Sequence, residues 1–230
     1  MLQDLILNSR QYSNLLRGTV VTIQVLLGSI ALGTIMSLVF GVARLSVKRW
    51  VRSAALVYIE FARGISAIIL LFWIFFALPI LFGLPSMPPM LAGILALGLN
   101  MGAYGAEIVR GAIQAVPKGQ TEATIALNMS ASQRLRHVVL PQAIPIILPP
   151  YGNLSIEVLK GTALVSLITL SDLAFETQKL RINNVISSDP IPLPILYFNT
   201  LIIYLVLAQI LAQLFKWAER RSARRFGSGE

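Results

Sequence analysis

Residues 19–43, TVVTIQVLLGSIALGTIMSLVFGVA, carry no charge. A hydrocarbon core about 30 Å thick takes roughly 20 apolar residues at 1.5 Å per residue. The run therefore predicts a helix that crosses a membrane, and four others repeat it. They are residues 54–83, interrupted only by Glu60 and Arg63; 90–109, with Glu107 near its end; 138–158, carrying Pro141, Pro145, Pro149 and Pro150; and 191–215. Residues 162–170 are apolar but too short to span, and predict a partial or re-entrant segment. The first run is too long for the apolar part of a signal peptide and follows Asp4, Arg10 and Arg17, so it reads as a retained anchor. The expected fold class is all-α integral membrane, one domain over 1–230 with about five transmembrane helices.

Composition agrees. The 230 residues are 56% hydrophobic and 13% charged, whereas a soluble domain carries about a quarter charged residues. With no cysteine, disulfides and thiolate metal sites are excluded, and His137, the one histidine, excludes a histidine cluster. The formal charge of +9 is a topological signal, because Lys and Arg sit in clusters between apolar runs. Arg44, Lys48, Arg49 and Arg52 follow the first run; Arg110, Lys118, Arg134 and Arg136 follow the third; Lys216, Arg220, Arg221, Arg224 and Arg225 form the tail. These thirteen of the nineteen basic residues are expected on the cytoplasmic side, with the N-terminus out and the C-terminus in. The remaining outer segments hold Arg10, Arg17, Lys179 and Arg181, partly balanced by Asp4, Asp172, Glu176 and Asp189. Trp50 and Trp217 fall at inner interfaces, where amphipathic rings are favoured. No nucleic-acid partner is implied.

The loop of residues 117–137, PKGQTEATIALNMSASQRLRH, is the most informative polar stretch. Thr121 reads as the cap of a helix starting near Glu122, whose acid suits the dipole in a first turn. Asn128 tolerates a left-handed turn and so ends that helix. Ser130 caps a second short helix holding Gln133, Arg134 and Leu135. The result is a compact helical knob with apolar and charged surface, suited to a groove on a cytoplasmic partner.

This loop resembles the cytoplasmic signature of permeases of binding-protein-dependent ATP-binding-cassette (ABC) importers. That signature reads Glu-Ala-Ala, three residues, Gly, nine residues, Ile-x-Leu-Pro. Here Glu122, Ala123, Thr124, Asn128, Val138, Leu140 and Pro141 stand at the matching positions, with Thr124 replacing alanine and Asn128 replacing glycine. The segments YIEFARG (58–64), AYGAEIVRGAIQAVPKGQTEA (103–123) and VVLPQAIPIILPPYGN (138–153) are similar to the branch importing polar amino acids. The resemblance implies a MetI-like ABC permease fold in which residues 117–137 form a coupling helix. It implies a cytoplasmic ATPase dimer, a second permease subunit of the same or a sibling chain, and an extracytoplasmic solute-binding protein as partners. ATP-driven alternating access across an inner membrane follows, with Glu122 anchoring the knob by charge and Pro141 fixing the start of span four. The chain has no G-x-x-x-x-G-K-[ST] phosphate loop, so ATP hydrolysis falls to a partner and no cofactor is implied here.

Departures from the family pattern bear on substrate. Ile65 and Ser66 stand where Thr-Pro is usual, Pro145 where Arg is usual, and Gly161 and Ala163 where Lys160 would be followed by Asp-Thr-Ser. The changes remove polar groups near span four and favour a small neutral zwitterion of the ectoine kind over a charged amino acid.

Three acid–base pairs are spaced i to i+3, so each shares a helix face and is expected to neutralise itself: Glu60 with Arg63, Glu107 with Arg110, and Glu157 with Lys160. Each pair either lines a polar path for a zwitterion or merely makes a charge tolerable in the bilayer. Glu60, Arg63, Glu157 and Lys160 are the candidates for the path. Gly28, Gly33, Gly93, Gly98, Gly102 and Gly105 are expected to permit close helix packing. An ion-gradient-driven transporter or channel is the alternative class; against it, five spans are few and the sequence shows no inverted internal repeat, from which such transporters are often built.

Overall fold

The computed structural model describes residues 7–184 and 192–226, the last two by their backbone alone. Asp4, Asp189, Ile191 and the Arg225 side chain lie outside the described residues. All regular structure among those described is helical. The order is α1 (Ser9–Ala43), α2 (Arg49–Gly64), α3 (Ala67–Phe82), α4 (Pro89–Ala115), α5 (Lys118–Ala126), α6 (Ala131–Ile168), α7 (Leu173–Asn184) and α8 (Leu193–Phe226). Helices α1, α4 and α8 are long and apolar enough to cross a membrane; counting the broken pairs α2–α3 and α6–α7 as one span each gives up to five.

Two of the expected spans need correction. Residues 54–83 are not one helix: Ser66 is extended (φ −61°, ψ 136°), so α2 and α3 are separate. Span four does not begin at Val138 apart from the knob's second helix, because α6 runs from Ala131 through a π-turn at Leu135–Val139 into Leu140–Gly161. Residues 162–168 then continue as a 3₁₀ turn, so the short apolar segment extends α6. Pro145, Pro149 and Pro150 lie inside this helix without ending it. The reason lies in the spacing. Pro141, Pro145 and Pro149 recur every fourth residue, so their missing N–H groups fall along one stripe and the other ladders stay whole. The π-turn, closed by the Leu140 N–H on the Leu135 carbonyl, absorbs the misfit just before Pro141.

The chain divides into two compact units. The described residues of Met1–Leu32, Ile65–Gly98 and Glu157–Ile210 form the first; those of Gly33–Gly64, Leu99–Ile156 and Leu211–Glu230 form the second. In the first, Leu7, Leu15, Leu173, Leu180 and Leu196 make a buried cluster. Asp172, fully buried, caps α7 by accepting from the N–H groups of Ala174 (3.2 Å) and Phe175 (2.9 Å). The Leu173 N–H bonds to Thr22 Oγ1 at 3.1 Å. Gly28 faces Ile94, Gly93 faces Val165 and Gly98 faces Leu32, as the glycine spacing predicts.

In the second unit Gly33 packs on Met101, Gly102 on Met36 and Tyr58, and Gly105 on Ser37 and Tyr151. Ser37 Oγ bonds to the Gly33 carbonyl at 2.6 Å, and the Tyr151 hydroxyl donates to Thr34 Oγ1 at 3.0 Å. Tyr58 donates to the Leu99 carbonyl (2.8 Å) and Asn100 Nδ2 to the Ala62 carbonyl (2.9 Å). The unit is thus stitched by small residues and satisfied polar groups, as close helix contacts in lipid require.

One backbone position stands out. Thr169 ends the 3₁₀ turn of α6 at φ 61°, a left-handed conformation that is strained for a β-branched residue. Thr169→Gly is expected to stabilise the protein by about 1 kcal/mol, read as a higher melting temperature in detergent.

Candidate functional site

The knob lies wholly in the second unit. Its first helix begins at Lys118, not near Glu122, and Pro117 stands at the cap position in extended conformation (ψ 134°). Thr121 is therefore no cap; it lies within the first helix. Proline explains the shift, since its fixed φ and absent N–H suit a helix boundary and draw residues 118–120 into the helix. Glu122 moves to the second turn and stays exposed. Thr124 is 4% exposed and donates its hydroxyl to the Thr121 carbonyl at 2.7 Å. The threonine at an alanine position is thus satisfied within the helix.

The end of α5 follows the expectation. Asn128 takes φ 55°, its N–H bonds to the Ile125 carbonyl (2.9 Å), and the Met129 N–H reaches back to the Thr124 carbonyl (3.0 Å). These two bonds make a Schellman stop, in which a left-handed residue satisfies the last carbonyls. Ser130 caps the next helix in a reciprocal box with Gln133: the Gln133 N–H bonds to Ser130 Oγ at 3.4 Å and the Ser130 N–H to Gln133 Oε1 at 2.9 Å. Arg134 closes the first turn of α6, just before the π-turn. Two caps back to back fix the angle between α5 and α6. Asn128→Gly is expected to leave the knob intact, whereas Asn128→Val should destabilise it by about 1–2 kcal/mol, seen as faster proteolysis of this loop.

The outward surface of the knob is mixed. Ile125 (57% exposed) and Leu127 (75% exposed) present apolar side chains beside Glu122. Its inner side is held to the bundle. Ala112, Val116, Val139 and Ala143 form a buried cluster flanked by Ile113, Leu135 and Ile147, and Gln142 Nε2 donates to Gln120 Oε1 at 3.2 Å. Both glutamines lie inside the quoted segments, but 22 residues separate them and nothing in the linear order pairs them.

The charge pairs divide. Glu107 Oε2 accepts from Arg110 Nε (2.9 Å) and Nη2 (2.7 Å), as the spacing predicts. Arg44 Nε also approaches Glu107 Oε1 at 3.7 Å, tying the turn that follows α1 to α4. In sequence Arg44 registers only as a loop cation. Among the described residues no ion pair joins Glu60 to Arg63 or Glu157 to Lys160, and all four side chains are exposed. The expected mutual neutralisation of these two pairs is thus corrected. Arg63 sits in the last turn of α2 with its guanidinium over the Tyr104 ring, 5.2 Å from the centroid, and its carbonyl accepts from the Tyr104 hydroxyl at 3.4 Å. The ring face competes with Glu60 for the cation. Glu60 and Arg63 belong to the second unit and Glu157 and Lys160 to the first. Among the described residues no group of His, Asp and Glu could hold a metal ion.

Membrane-length helices bearing an exposed knob with two caps back to back define an integral membrane protein with a surface free for a partner. The chain belongs to the family of binding-protein-dependent transport system inner membrane components, whose pattern matches residues 29–224. It is 53% identical over 169 residues, 72% of this chain and 71% of the relative, to the probable amino-acid ABC transporter permease protein y4tF of Sinorhizobium fredii. It is 32% identical over 208 residues (90% and 92%) to the glutamine transport system permease protein GlnP of Escherichia coli. Among solved structures it is similar to a crystal structure of an amino acid ABC transporter with histidines, at TM-score 0.79 and 32% identity, covering 92% of this chain and 95% of that one.

Proposed function

We propose that this chain is the permease subunit of an ABC importer that moves a polar amino acid, or an amino-acid-derived zwitterion such as ectoine, into the cell. The observation that carries the reading is the knob. Glu122, Ile125 and Leu127 form an exposed patch that this chain's own fold leaves uncovered. Firm caps at Asn128 and Ser130 join that patch rigidly to α6. A rigid arm with an uncovered mixed surface suits a partner's groove. Glu122, Ala123, Thr124, Asn128, Arg134 and Pro141 are the coupling residues in this reading. An ATPase dimer grips the knob from the cytoplasm, and closure of that dimer drives alternating access through 1–230 acting as one permease domain. A second permease chain and an extracytoplasmic solute-binding protein complete the machine. The N-terminus lies outside and the C-terminus inside. Glu60, Arg63, Glu157 and Lys160 are the candidate path residues in this reading, each exposed and outside any ion pair among the described residues. The amino-acid transport named for the relatives supports the substrate class.

Uptake by the complete complex in proteoliposomes tests this. ATP-dependent accumulation of glutamine, arginine, glutamate or ectoine is the expected result, and competition among the four ranks them. Accumulation that follows an imposed ion gradient and ignores ATP would contradict the proposal.

A further inference from the structure

Helix α8 is much longer than its apolar part. Its 34 residues span about 51 Å at 1.5 Å each, against an about 30 Å hydrocarbon core. The apolar sequence closes at Phe215, yet the helix continues to Phe226. The headgroup layer adds roughly 5–7 Å on each side of the core, so the turns just past Phe215 pass through it. Here Trp217, Arg220, Arg221 and Arg224, spaced i, i+3, i+4 and i+7, lie on one face and line one open recess. The Arg221 guanidinium covers the Trp217 ring at 5.3 Å from its centroid, and Trp217 is 60% exposed. Lys216 adds charge, and Glu219 is the one acid within residues 216–224. Only 6% of the apolar window of α8 is buried by the chain itself, so this helix meets lipid or another subunit along its length.

From this arrangement we infer that the Trp217–Arg220–Arg221–Arg224 face is a binding site for the phosphodiester headgroup of an anionic phospholipid. Helical side chains lean toward the N-terminal end of their helix, and in α8 that end is the bilayer side. The guanidinium groups therefore reach back toward the headgroups, as long cationic side chains do at interfaces. Their planar forks match phosphate oxygens, and an indole favours the same depth. An acidic protein surface would satisfy the charge, but it gives no reason for an exposed tryptophan two residues past the end of the apolar sequence.

Native mass spectrometry of the complete transport complex, taken from vesicles holding equal phosphatidylglycerol and phosphatidylcholine, reads the retained lipid. Enrichment of phosphatidylglycerol is expected, falling about fivefold for each guanidinium removed in the series R221Q, R220Q/R221Q and R220Q/R221Q/R224Q. The triple lysine variant keeps the charge and should keep part of the enrichment. Equal enrichment in wild type and R221Q would overturn the inference. So would a variant series that keeps phosphatidylglycerol but sheds a partner subunit, which would make this face a protein-docking surface. If the triple variant does not assemble, R221Q and a salt series on the wild-type complex decide: enrichment should fall as screening shortens from about 10 Å at 0.1 M to 3 Å at 1 M, and salt-independent enrichment would contradict it.

Discussion

Glu122→Lys is expected to abolish productive coupling: ATP hydrolysis by the assembled complex persists while transport drops by a factor of ten or more. The side chain is exposed on α5, and among the described residues no ion pair engages it. Reversal should therefore leave the fold within about 0.5 kcal/mol of wild type. At a docking surface the same change sets like charges together at several kcal/mol, well above the 1.4 kcal/mol that makes a tenfold effect. Parallel measurement of ATPase rate and uptake in proteoliposomes checks it. Glu122→Gln, which removes the charge without reversing it, should fall between the two. Wild-type transport in Glu122→Lys would remove Glu122 from the coupling surface.

Gly41→Val should have the other large effect, on assembly of the protein itself. A Cβ at Gly41 would lie 2.8 Å from the Ala106 carbonyl oxygen and 2.8 Å from Val109 Cβ and Cγ1. One of these contacts is backbone, so it cannot be relieved by a rotamer change. Overpacking of this kind costs typically 1–3 kcal/mol, and a backbone clash belongs at or above the upper end. It would also prise α1 from α4 where Arg44 meets Glu107. A melting temperature lowered by several degrees in detergent and a reduced folded yield are the expected readings. Gly111→Ala, on the same α4, is the control: nothing lies within 4 Å of a Cβ there, so no loss of stability is expected.

The sequence made the membrane class legible because hydrocarbon imposes a length that few other environments require. The uncharged run 19–43 could only be a long helix, and it lies within α1. Asn128 and Ser130 were legible for a similar reason: few side chains accept a left-handed stop or offer a cap. Boundaries fared worse wherever two rules competed. Thr121 is a good cap by type, but Pro117 sits closer to the loop and fixes the start of α5 first. Proline inside a helix ordinarily breaks it, yet Pro141, Pro145 and Pro149 share one every-fourth-residue register that spares most of the ladder, and α6 stays continuous. The charge pairs show what spacing omits. An i to i+3 register makes a bond possible in Glu107–Arg110, while the ring of Tyr104 draws Arg63 aside, and nothing in the linear order announces that aromatic neighbour.

The chain's lack of cysteine makes one measurement decisive for the coupling role of α5. Leu127→Cys places a single thiol on the most exposed apolar residue of the knob, and a short bifunctional cross-linker can then report its neighbour in intact membranes. A cross-link to an ATP-hydrolysing subunit, its yield changing when ATP is trapped, is the expected result. A thiol that reacts with membrane-impermeant reagents from outside the cell, or that cross-links to no nucleotide-binding protein, would contradict it.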